Sequence, residues 1–510
     1  METAGGIAET FRNGTFLVTG STGFLGKILV EKLLRSCNVK NIAILVRSKK
    51  GLDPSQRVAD IYKQALFERL RNEKPDFMDK IKVIHGNIEE ESLGLSTADR
   101  NWILENVNFV FHCAATVKFD EALELATKIN IQGTNNLLTL AAQMKNLKGF
   151  VHVSTAYSHC PRNEIREQYY PTPVSAKELK NLMRKDDLSE SKMLENWPNT
   201  YTFTKAITEN MISTNENRLP ISIFRPSIIG CTKSEPEPGW LENMNGPTGI
   251  LTGAMVGFLR TMNIDTDKVT DIIPADYTAN ALISVMWDTV KRHEDCGYTK
   301  YEQPKIYNYV SSADSPLTWN EYIGGITEHY NVSPPLRSMW YGFLVAYTNL
   351  WIGMVLKFLL HRIPAAFVDF LLIISGKSPK MLKMYAKTEY MTGIIKLFIT
   401  SQWKFDNSNS VKLLSSLSIE DRDQFEFGMV NFDWKSYIKS YYYGIRKHIL
   451  KEEMSNLDKA LSKNRKLYWL HKLCVVLFFY FILQLCWTCI KYISMGTQQN
   501  LVSHFYQIAQ

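Results

Sequence analysis

The segment Thr15-Phe16-Leu17-Val18-Thr19-Gly20-Ser21-Thr22-Gly23-Phe24-Leu25-Gly26 determines how the first half of this 510-residue chain is read. An apolar run leads into three glycines, and a helical pattern opens directly after them. Glycine permits a tight turn and close backbone approach to a ligand, and a helix N-terminus offers free N–H groups to an anion. The order strand, glycine turn, helix therefore predicts a binding site for a dinucleotide pyrophosphate. The residues predicted to form it are Thr19, Gly20, Thr22, Gly23, Phe24 and Gly26.

Strand-like and helix-like segments alternate from residue 15 to about residue 290, which is typical of a parallel, doubly wound sheet. The predicted strands are Thr15–Val18, Asn41–Val46, Ile81–Ile84, Phe109–Phe111, Gly149–Val153, Ile221–Phe224 and Lys305–Val310. Helices are predicted between them, for example at Gly26–Arg35, Asp120–Met144 and Tyr201–Thr214. We therefore expect an α/β fold, with a Rossmann-type domain over residues 13–335 and a helical module over residues 336–460.

An apolar segment near the C-terminus predicts a membrane anchor. Leu473–Ile490 contains 18 residues without a charge or a histidine, close to the roughly 20 that cross a bilayer core. Basic residues cluster before this segment, and Lys491 alone follows it closely. The positive-inside rule then keeps the large N-terminal part in the cytosol. We predict a single-pass tail anchor over 473–490, at the endoplasmic reticulum in preference to the peroxisome; a buried core helix is the alternative.

A second charge-free run, Ser338–Leu356, and the apolar stretch Phe367–Ile374 follow the predicted α/β domain. Hydropathy leaves three interpretations open for them: a second membrane span, a shallow hydrophobic hairpin, or a helix packed on the catalytic domain.

The composition narrows the function classes. Lys and Arg number 59 against 51 Asp and Glu, a net charge of +8 without a long basic block. This charge is compatible with an anionic substrate or membrane lipid, and no motif supports a nucleic-acid partner. The eight cysteines are scattered, which indicates a reducing compartment and predicts no metal site. The sequence carries no signal for the oligomeric state.

Two residues four positions apart, Tyr201 and Lys205, are candidates for proton chemistry, because this spacing places both on one face of a helix. A nearby ammonium is expected to lower the pKa of a tyrosine from its usual value near 10. The tyrosine could then protonate a carbonyl oxygen as a hydride reaches the carbon. Ser154 and Thr155 follow a predicted strand, and either hydroxyl could orient the same oxygen.

The residues after the second predicted strand indicate the type of cofactor. An NAD site usually carries Asp or Glu about 20 residues past the glycines, whereas this chain has Arg47-Ser48-Lys49-Lys50. A guanidinium suits a 2′-phosphate, so the segment predicts NADPH bound through Arg47; a solvated basic loop is the alternative. Three further residues, at strand ends and in a helix, are predicted to contact the cofactor: Asn87, Ala114 and Asn130.

Taken together, five motifs resemble an extended short-chain dehydrogenase/reductase: the glycine turn, His112-Cys113-Ala114-Ala115, Val153-Ser154-Thr155-Ala156, Tyr201-x-x-x-Lys205 and Phe224-Arg225-Pro226-Ser227. With Phe432-Asp433-Trp434 and Tyr443-Gly444-Ile445-Arg446-Lys447, residues 13 to about 460 are similar to the alcohol-forming fatty acyl-CoA reductases of eukaryotes. One departure concerns adenine binding, since relatives in the wider superfamily often have Asp where this chain has Asn87.

The resemblance implies a role for each matched residue. The three glycines would bind pyrophosphate, Arg47 the 2′-phosphate and Thr155, rather than Ser154, the substrate oxygen. Tyr201 would be the acid, and Lys205 would tune it and bond the nicotinamide ribose. The implied reaction converts a long-chain fatty acyl-CoA and two NADPH to a primary alcohol, CoA and two NADP⁺ through an aldehyde. Two alternatives are another membrane-bound reductase, such as a hydroxysteroid dehydrogenase, and a non-catalytic lipid-binding tether.

Overall fold

A seven-stranded parallel sheet organises the N-terminal part of the computed structural model, which describes residues 6–49, 51–185, 190–194, 196–214, 218–297 and 303–508. The strands in chain order are β1 Thr15–Thr19, β2 Asn41–Val46, β3 Ile81–His85, β4 Phe109–His112, β5 Gly149–Val153, β6 Ile221–Pro226 and β7 Lys305–Tyr309. Their spatial order is β7-β6-β5-β4-β1-β2-β3, and every neighbouring pair is parallel. The predicted Rossmann-type sheet is confirmed, with every strand end within two residues of its prediction.

Helices cover both faces of this sheet and make up most of the chain that follows it. The longer ones are α1 Phe24–Ser36, α2 Pro54–Tyr62, α3 Thr97–Asn106, α4 Gly133–Ala141, α5 Ala176–Lys185, α6 Thr200–Thr214, α7 Pro247–Met255, α8 Ala275–Asp295, α9 Trp319–Val332, α10 Leu350–Lys357, α11 Ile363–Ile374, α12 Met381–Ile394, α13 Ser408–Ser416, α14 Trp434–Gly444 and α15 Leu457–Ile508.

The strands of this sheet form because their apolar runs can be buried on both faces. All residues of β1 and β5 are buried, as expected for a parallel sheet covered by helices. The strand order changes direction at β1, so that β4 lies on one side of it and β2 on the other. In open parallel sheets, ligands bind outside the carboxyl ends of the strands at such a switch point. The predicted site residues should therefore meet at this edge.

The segment after residue 336 packs directly on the α/β domain. The Tyr437 hydroxyl donates to the Cys231 carbonyl oxygen at 3.1 Å, and the Tyr441 and Thr248 hydroxyls are 2.7 Å apart. Short strands also cross the predicted boundary, since Val345–Tyr347 pairs with Thr261–Asn263. The C-terminal segment is mainly helical, as predicted, while the boundary at residue 335 stays a prediction.

One helix among the described residues is long and apolar enough to cross a membrane. It covers Met454–Ile493, and its apolar 18-residue window has a mean hydropathy of 2.3 and is not buried against the rest of the protein. The predicted anchor at 473–490 lies inside it, so α15 is a candidate membrane span. Of the two earlier apolar segments, Ser338–Leu356 contains the short strand Val345–Tyr347 and most of α10, and Phe367–Ile374 lies in α11. A π-helical turn at Phe358–Arg362 joins the two helices.

Candidate functional site

The glycine turn after β1 forms a cradle that larger residues could not occupy. Gly20 has φ of +71°, and a Cβ there would lie 2.7 Å from the Ala114 nitrogen. A Cβ on Gly26 would lie 2.2 Å from the Gly20 carbonyl oxygen. Gly23 caps the N-terminus of α1 with extended backbone. The turn therefore brings the open end of α1 against the ends of β1 and β4, as a pyrophosphate site requires.

A chain of buried hydrogen bonds fixes the strand ends around this cradle. The Thr19 hydroxyl lies 2.7 Å from His112 Nδ1 and accepts from the Ala114 N–H at 3.3 Å. His112 Nε2 lies 2.8 Å from the Thr134 hydroxyl. Burial, helped by the Lys205 charge, lowers the pKa of His112 to about 3. The imidazole is therefore neutral. The Thr19 side chain is occupied in joining the carboxyl end of β1 to that of β4.

The remaining residues of the turn leave polar groups available to a ligand. Thr22 is partly exposed beside the exposed Gly23, and the Phe24 ring stacks on Trp240 at 5.3 Å. The Ser21 hydroxyl is buried and, within the part of the chain that the structure describes, has no hydrogen-bond partner. An unpaired buried hydroxyl is costly, so a polar ligand at the turn would satisfy it. The residues present fit a dinucleotide.

Two arginines meet at the carboxyl end of β2. Arg57 on α2 donates to the Arg47 carbonyl oxygen, and Arg47 forms an ion pair with Glu89. The neighbouring Arg47 charge contributes, after burial, to a lowered pKa of Arg57. Sequence reasoning missed Arg57, although its place in the first turns of the helix after β2 was a usable signal. It also missed Glu89, an acid that reaches Arg47 from beyond β3; Lys50 lies outside the described residues.

Asn87 and Asn130 bond to the protein itself. Asn87 Oδ1 accepts from the Glu89 N–H at 3.2 Å, which shapes the turn after β3. Asn130 lies in a π-helical turn at Thr127–Gln132, within the predicted helix Asp120–Met144. Its side chain accepts from the Thr116 N–H at 2.9 Å and donates to the Thr204 hydroxyl at 3.0 Å. Asn130 thus joins the segment after β4 to α6, and a contact with the cofactor stays a prediction for both residues.

Tyr201 and Thr155 come together at the carboxyl end of β5. The Thr155 side chain lies near enough to the Tyr201 hydroxyl to favour its ionised form, although burial has the larger effect on the Tyr201 pKa. Thr155 is buried at the start of a short 3₁₀ turn, and Tyr201 is partly exposed. The Ser154 hydroxyl instead donates to the buried Glu209 carboxylate. The structure therefore leaves Thr155, and not Ser154, beside the Tyr201 hydroxyl.

Lys205 lies on the same helix as Tyr201, but its ammonium points to a carbonyl group. Lys205 Nζ donates to the Val153 carbonyl oxygen at 2.6 Å. Burial lowers the pKa of Lys205 to about 8, and it raises the pKa of Tyr201 to about 12. The prediction that Lys205 lowers the tyrosine pKa is wrong for this arrangement, because burial is the largest influence on the Tyr201 pKa and the Lys205 charge is not among the others. Tyr201 is consequently protonated at neutral pH.

A buried ion pair lies one helical turn after Lys205 and was not predicted from the sequence. Glu209 binds Arg225 through both oxygens, at 3.0 and 2.6 Å. His159 Nε2 lies 3.2 Å from the same carboxylate. Arg225 holds the pKa of Glu209 below its usual value, despite burial. The spacing Tyr201, Lys205, Glu209 repeats every four residues and was the available signal, since it puts the three on one face of α6.

Aromatic side chains line the exposed side of Tyr201. Phe119 stacks on the Tyr201 ring at 5.8 Å, and Phe398 lies 5.2 Å from Phe119. The Tyr157 ring is 5.3 Å from Phe398 and 5.2 Å from Trp403. Phe398 and Trp403 come from the C-terminal segment, so this segment completes an apolar wall next to the catalytic candidates.

A glycine cradle on a Rossmann sheet, beside a protonated tyrosine, a buried lysine and a threonine hydroxyl, defines a reductase that uses a nicotinamide dinucleotide. Solved structures share this fold. The reductase domain of a non-ribosomal peptide synthetase from Mycobacterium tuberculosis has a TM-score of 0.56 and 18% identity, covering 86% of this chain and 92% of that one. The terminal R domain from the myxalamid PKS-NRPS pathway gives 0.55 and 18%, covering 85% and 90%.

Sequence comparisons narrow the class further. Two family profiles, both described as "Male sterility protein", match residues 18–282 and 360–452. "Fatty acyl-CoA reductase wat" of Drosophila melanogaster is 37% identical over 471 residues, 91% of this chain and 90% of the relative. "Fatty acyl-CoA reductase 1" of Homo sapiens is 34% identical over 520 residues, 95% and 98% respectively. The chain belongs to the fatty acyl-CoA reductase family.

Proposed function

We propose that this protein reduces a long-chain fatty acyl-CoA to a primary alcohol and CoA, with NADPH as the reductant. The observation that carries the proposal is the protonated Tyr201 hydroxyl, which lies beside Thr155 at the sheet edge that bears the glycine cradle. The aromatic wall beside Tyr201 supports an apolar substrate, since it offers an acyl chain a dry surface.

The chain's own residues handle protons and orientation, while the cofactor supplies hydride. Thr155 and Tyr201 hold the thioester carbonyl oxygen, and Tyr201 gives it a proton as the carbonyl carbon is reduced. The resulting hemithioacetal loses CoA as a thiol and leaves an aldehyde. The same two hydroxyls hold the aldehyde oxygen for a second reduction, so that two hydrides and two protons yield the alcohol. One tyrosine serves both steps if it is reprotonated between them.

The choice of NADPH over NADH is supported by the arginines at the end of β2. Arg57 donates to the Arg47 carbonyl oxygen, which brings two arginine side chains to the same end of β2. A 2′-phosphate is a ligand suited to bidentate contacts with guanidinium groups. Glu89 pairs with Arg47 at a half-exposed position, where such a pair contributes little free energy. A doubly charged phosphate would therefore displace Glu89 at small cost.

The proposed location follows from α15 and its flanking charges. A tail anchor with the catalytic domain in the cytosol is supported by the basic residues that precede Leu473. Residues 491–510 carry one lysine and one histidine, and this weak charge favours the endoplasmic reticulum over the peroxisome. A membrane-bound site suits a reaction whose substrate and product both carry a long alkyl chain.

Product analysis tests the proposed reaction. Membranes that contain the full chain are supplied with acyl-CoAs of graded length and NADPH, and alcohols are measured by gas chromatography. The Tyr201→Phe variant keeps the ring and removes the proton donor. We expect its alcohol output to fall by about 10²–10⁴-fold, the usual contribution of a general acid, with NADPH binding retained.

Two outcomes would contradict the proposal. A Tyr201→Phe rate above half of the unmodified rate would remove Tyr201 from the mechanism. Consumption of NADPH with a sterol ketone, but not with any acyl-CoA, would favour a hydroxysteroid dehydrogenase, and no consumption with either would favour a lipid-binding tether.

A further inference from the structure

The helical stretch that contains α10 and α11 exposes a continuous apolar face. Trp351 is 76% exposed, and its neighbours in α10 include the exposed Met354 and Val355. Phe367 and Phe370 are similarly exposed in α11. We call this surface the outer face of α10–α11. Contiguous exposed apolar patches of this kind mark interaction sites in soluble proteins.

The opposite side of the same stretch is fixed to the α/β domain. His361, in the turn between α10 and α11, accepts through Nε2 from the Arg260 N–H at 3.0 Å. Its ring stacks at 4.6 Å on Tyr385 of α12, whose hydroxyl donates to the Phe258 carbonyl oxygen at 2.7 Å. Because these buried polar contacts hold the inner side in place, the stretch cannot rotate its apolar residues inward without breaking them. The outer face therefore needs a partner from outside the domain.

A basic border surrounds the turn between α11 and α12. Asp369 accepts hydrogen bonds from the backbone N–H groups of three consecutive residues, which closes this turn; they are Lys380, Met381 and Leu382. Lys377, Lys380, Lys383 and Lys387 are all exposed there. An apolar face beside exposed lysines is the pattern of an interfacial membrane helix, in which the cations meet anionic headgroups.

The outer face begins where the candidate membrane span leaves the domain. The Trp340 indole N–H lies 3.3 Å from His471 Nδ1, and Phe343 lies 4.9 Å from the His471 ring. His471 precedes the apolar segment at Leu473, and Phe343 precedes α10 by a few residues. The apolar part of α15 and the segment that leads into α10 are therefore in contact at His471. A bilayer that contains α15 consequently lies close to α10.

We propose that the outer face of α10–α11 is a second membrane contact, which lies in the interfacial layer of the bilayer that α15 crosses. The occupant of this surface is lipid acyl chain. A second copy of this chain would not explain the basic border, because like charges would then face each other.

Lipid photolabelling of the full chain tests this inference. The protein is reconstituted in phosphatidylcholine vesicles that contain some phosphatidylserine and a phosphatidylcholine with a diazirine in its acyl chain. After irradiation, lipid adducts are mapped by mass spectrometry. We expect adducts in peptides from 350–374 as well as from 473–490. Adducts confined to 473–490, or crosslinks between the 350–374 segments of two copies, would overturn the proposal.

Paired variants sharpen the test. The double variant Phe367→Glu, Phe370→Glu places two charges on the outer face, where insertion among acyl chains is costly. Its adducts at 350–374 should fall about tenfold or more, while those at 473–490 stay constant as an internal control. Val430→Glu changes an exposed apolar residue outside the outer face and should leave both unchanged. Equal adducts in all three proteins would contradict the assignment of this face.

The result does not depend on the proposed reaction. Tyr201→Phe should lose alcohol formation and keep both sets of adducts, so a failure of the catalytic proposal and a failure of the membrane contact give different patterns. A melting curve for each variant shows whether it folds. If the double variant does not, the mapping of the unmodified chain still decides the question.

Discussion

The reaction should lose rate above pH 8 because Lys205 loses its charge there. Burial lowers the pKa of Lys205 from the ordinary 10.5 to about 8, while that of Tyr201 rises to about 12. A lysine is charged below its pKa, so between pH 6 and 8 the site contains an ammonium and a protonated phenol together. Above pH 8 the phenol remains protonated and the ammonium does not. The alkaline limb of the pH profile therefore belongs to Lys205.

The expected fall in kcat follows from the fraction of Lys205 that is charged at each pH. If only the ammonium form supports the reaction, kcat should fall by about tenfold per pH unit once the pH is well above 8. The assay measures initial rates of alcohol formation from pH 6 to 10 at saturating acyl-CoA and NADPH. Cofactor binding is titrated in parallel, which separates a loss of affinity from a loss of turnover.

Two variants test the assignment of this limb. Lys205→Arg keeps a positive charge at every pH of the assay, so whatever rate remains should show no alkaline limb. Glu209→Gln removes a charge that raises the pKa of Lys205, so its limb should move to lower pH. A rate of the unmodified protein that stays level to pH 10 would refute the reasoning.

Three further predictions concern the cofactor, the glycine turn and the anchor. Arg47→Ala and Arg57→Ala should each weaken NADPH binding by about 1.5–3 kcal/mol, the scale of a hydrogen bond to a charged group, with little change for NADH; fluorescence titration measures both, and equal losses would make the arginines structural. Gly20→Ala should abolish NADPH binding and lower the melting temperature, because a Cβ at φ of +71° meets the Ala114 backbone. Gly324→Ala is the control: it lies in a helix with open space around it, so its melting temperature should be unchanged or slightly higher. A glycosylation acceptor site placed after Gln510 should be modified in the endoplasmic reticulum, while one near the N-terminus should not. A glycan at the N-terminal site alone would contradict the predicted cytosolic position of the catalytic domain.

The main sheet could be predicted from the sequence because its strands are buried on both faces. A run such as Phe16-Leu17-Val18, followed by glycines, has few other stable arrangements. The two-residue and three-residue strands could not be predicted. Val345–Tyr347 pairs with Thr261–Asn263, and a segment this short has no periodicity of its own. Tertiary packing alone defines it.

The candidate site, like the fold, could be predicted from the sequence only in part. Tyr201 and Lys205 could be singled out because they lie four residues apart in the sequence. The residues themselves left Ser154 and Thr155 as alternatives, and only the family resemblance favoured Thr155. The pKa values could not be predicted, because they depend on burial, which the sequence does not show; a charged neighbour was expected to control Tyr201, and desolvation does. Arg57 was missed although it lies only ten residues after Arg47, in the first turn of the helix that follows β2.

The buried pair of Glu209 and Arg225 explains how the site keeps its shape. One carboxylate on α6 meets Ser154 after β5, His159 in the next turn and Arg225 on β6. Arg225 also donates to two backbone carbonyl oxygens beyond β5. A buried ion pair adds little net stability, but the loss of one partner costs about 3–5 kcal/mol, because the other charge stays buried alone. The pair therefore penalises any rotation or slip of α6 against the sheet, and such a slip would move Tyr201 away from Thr155.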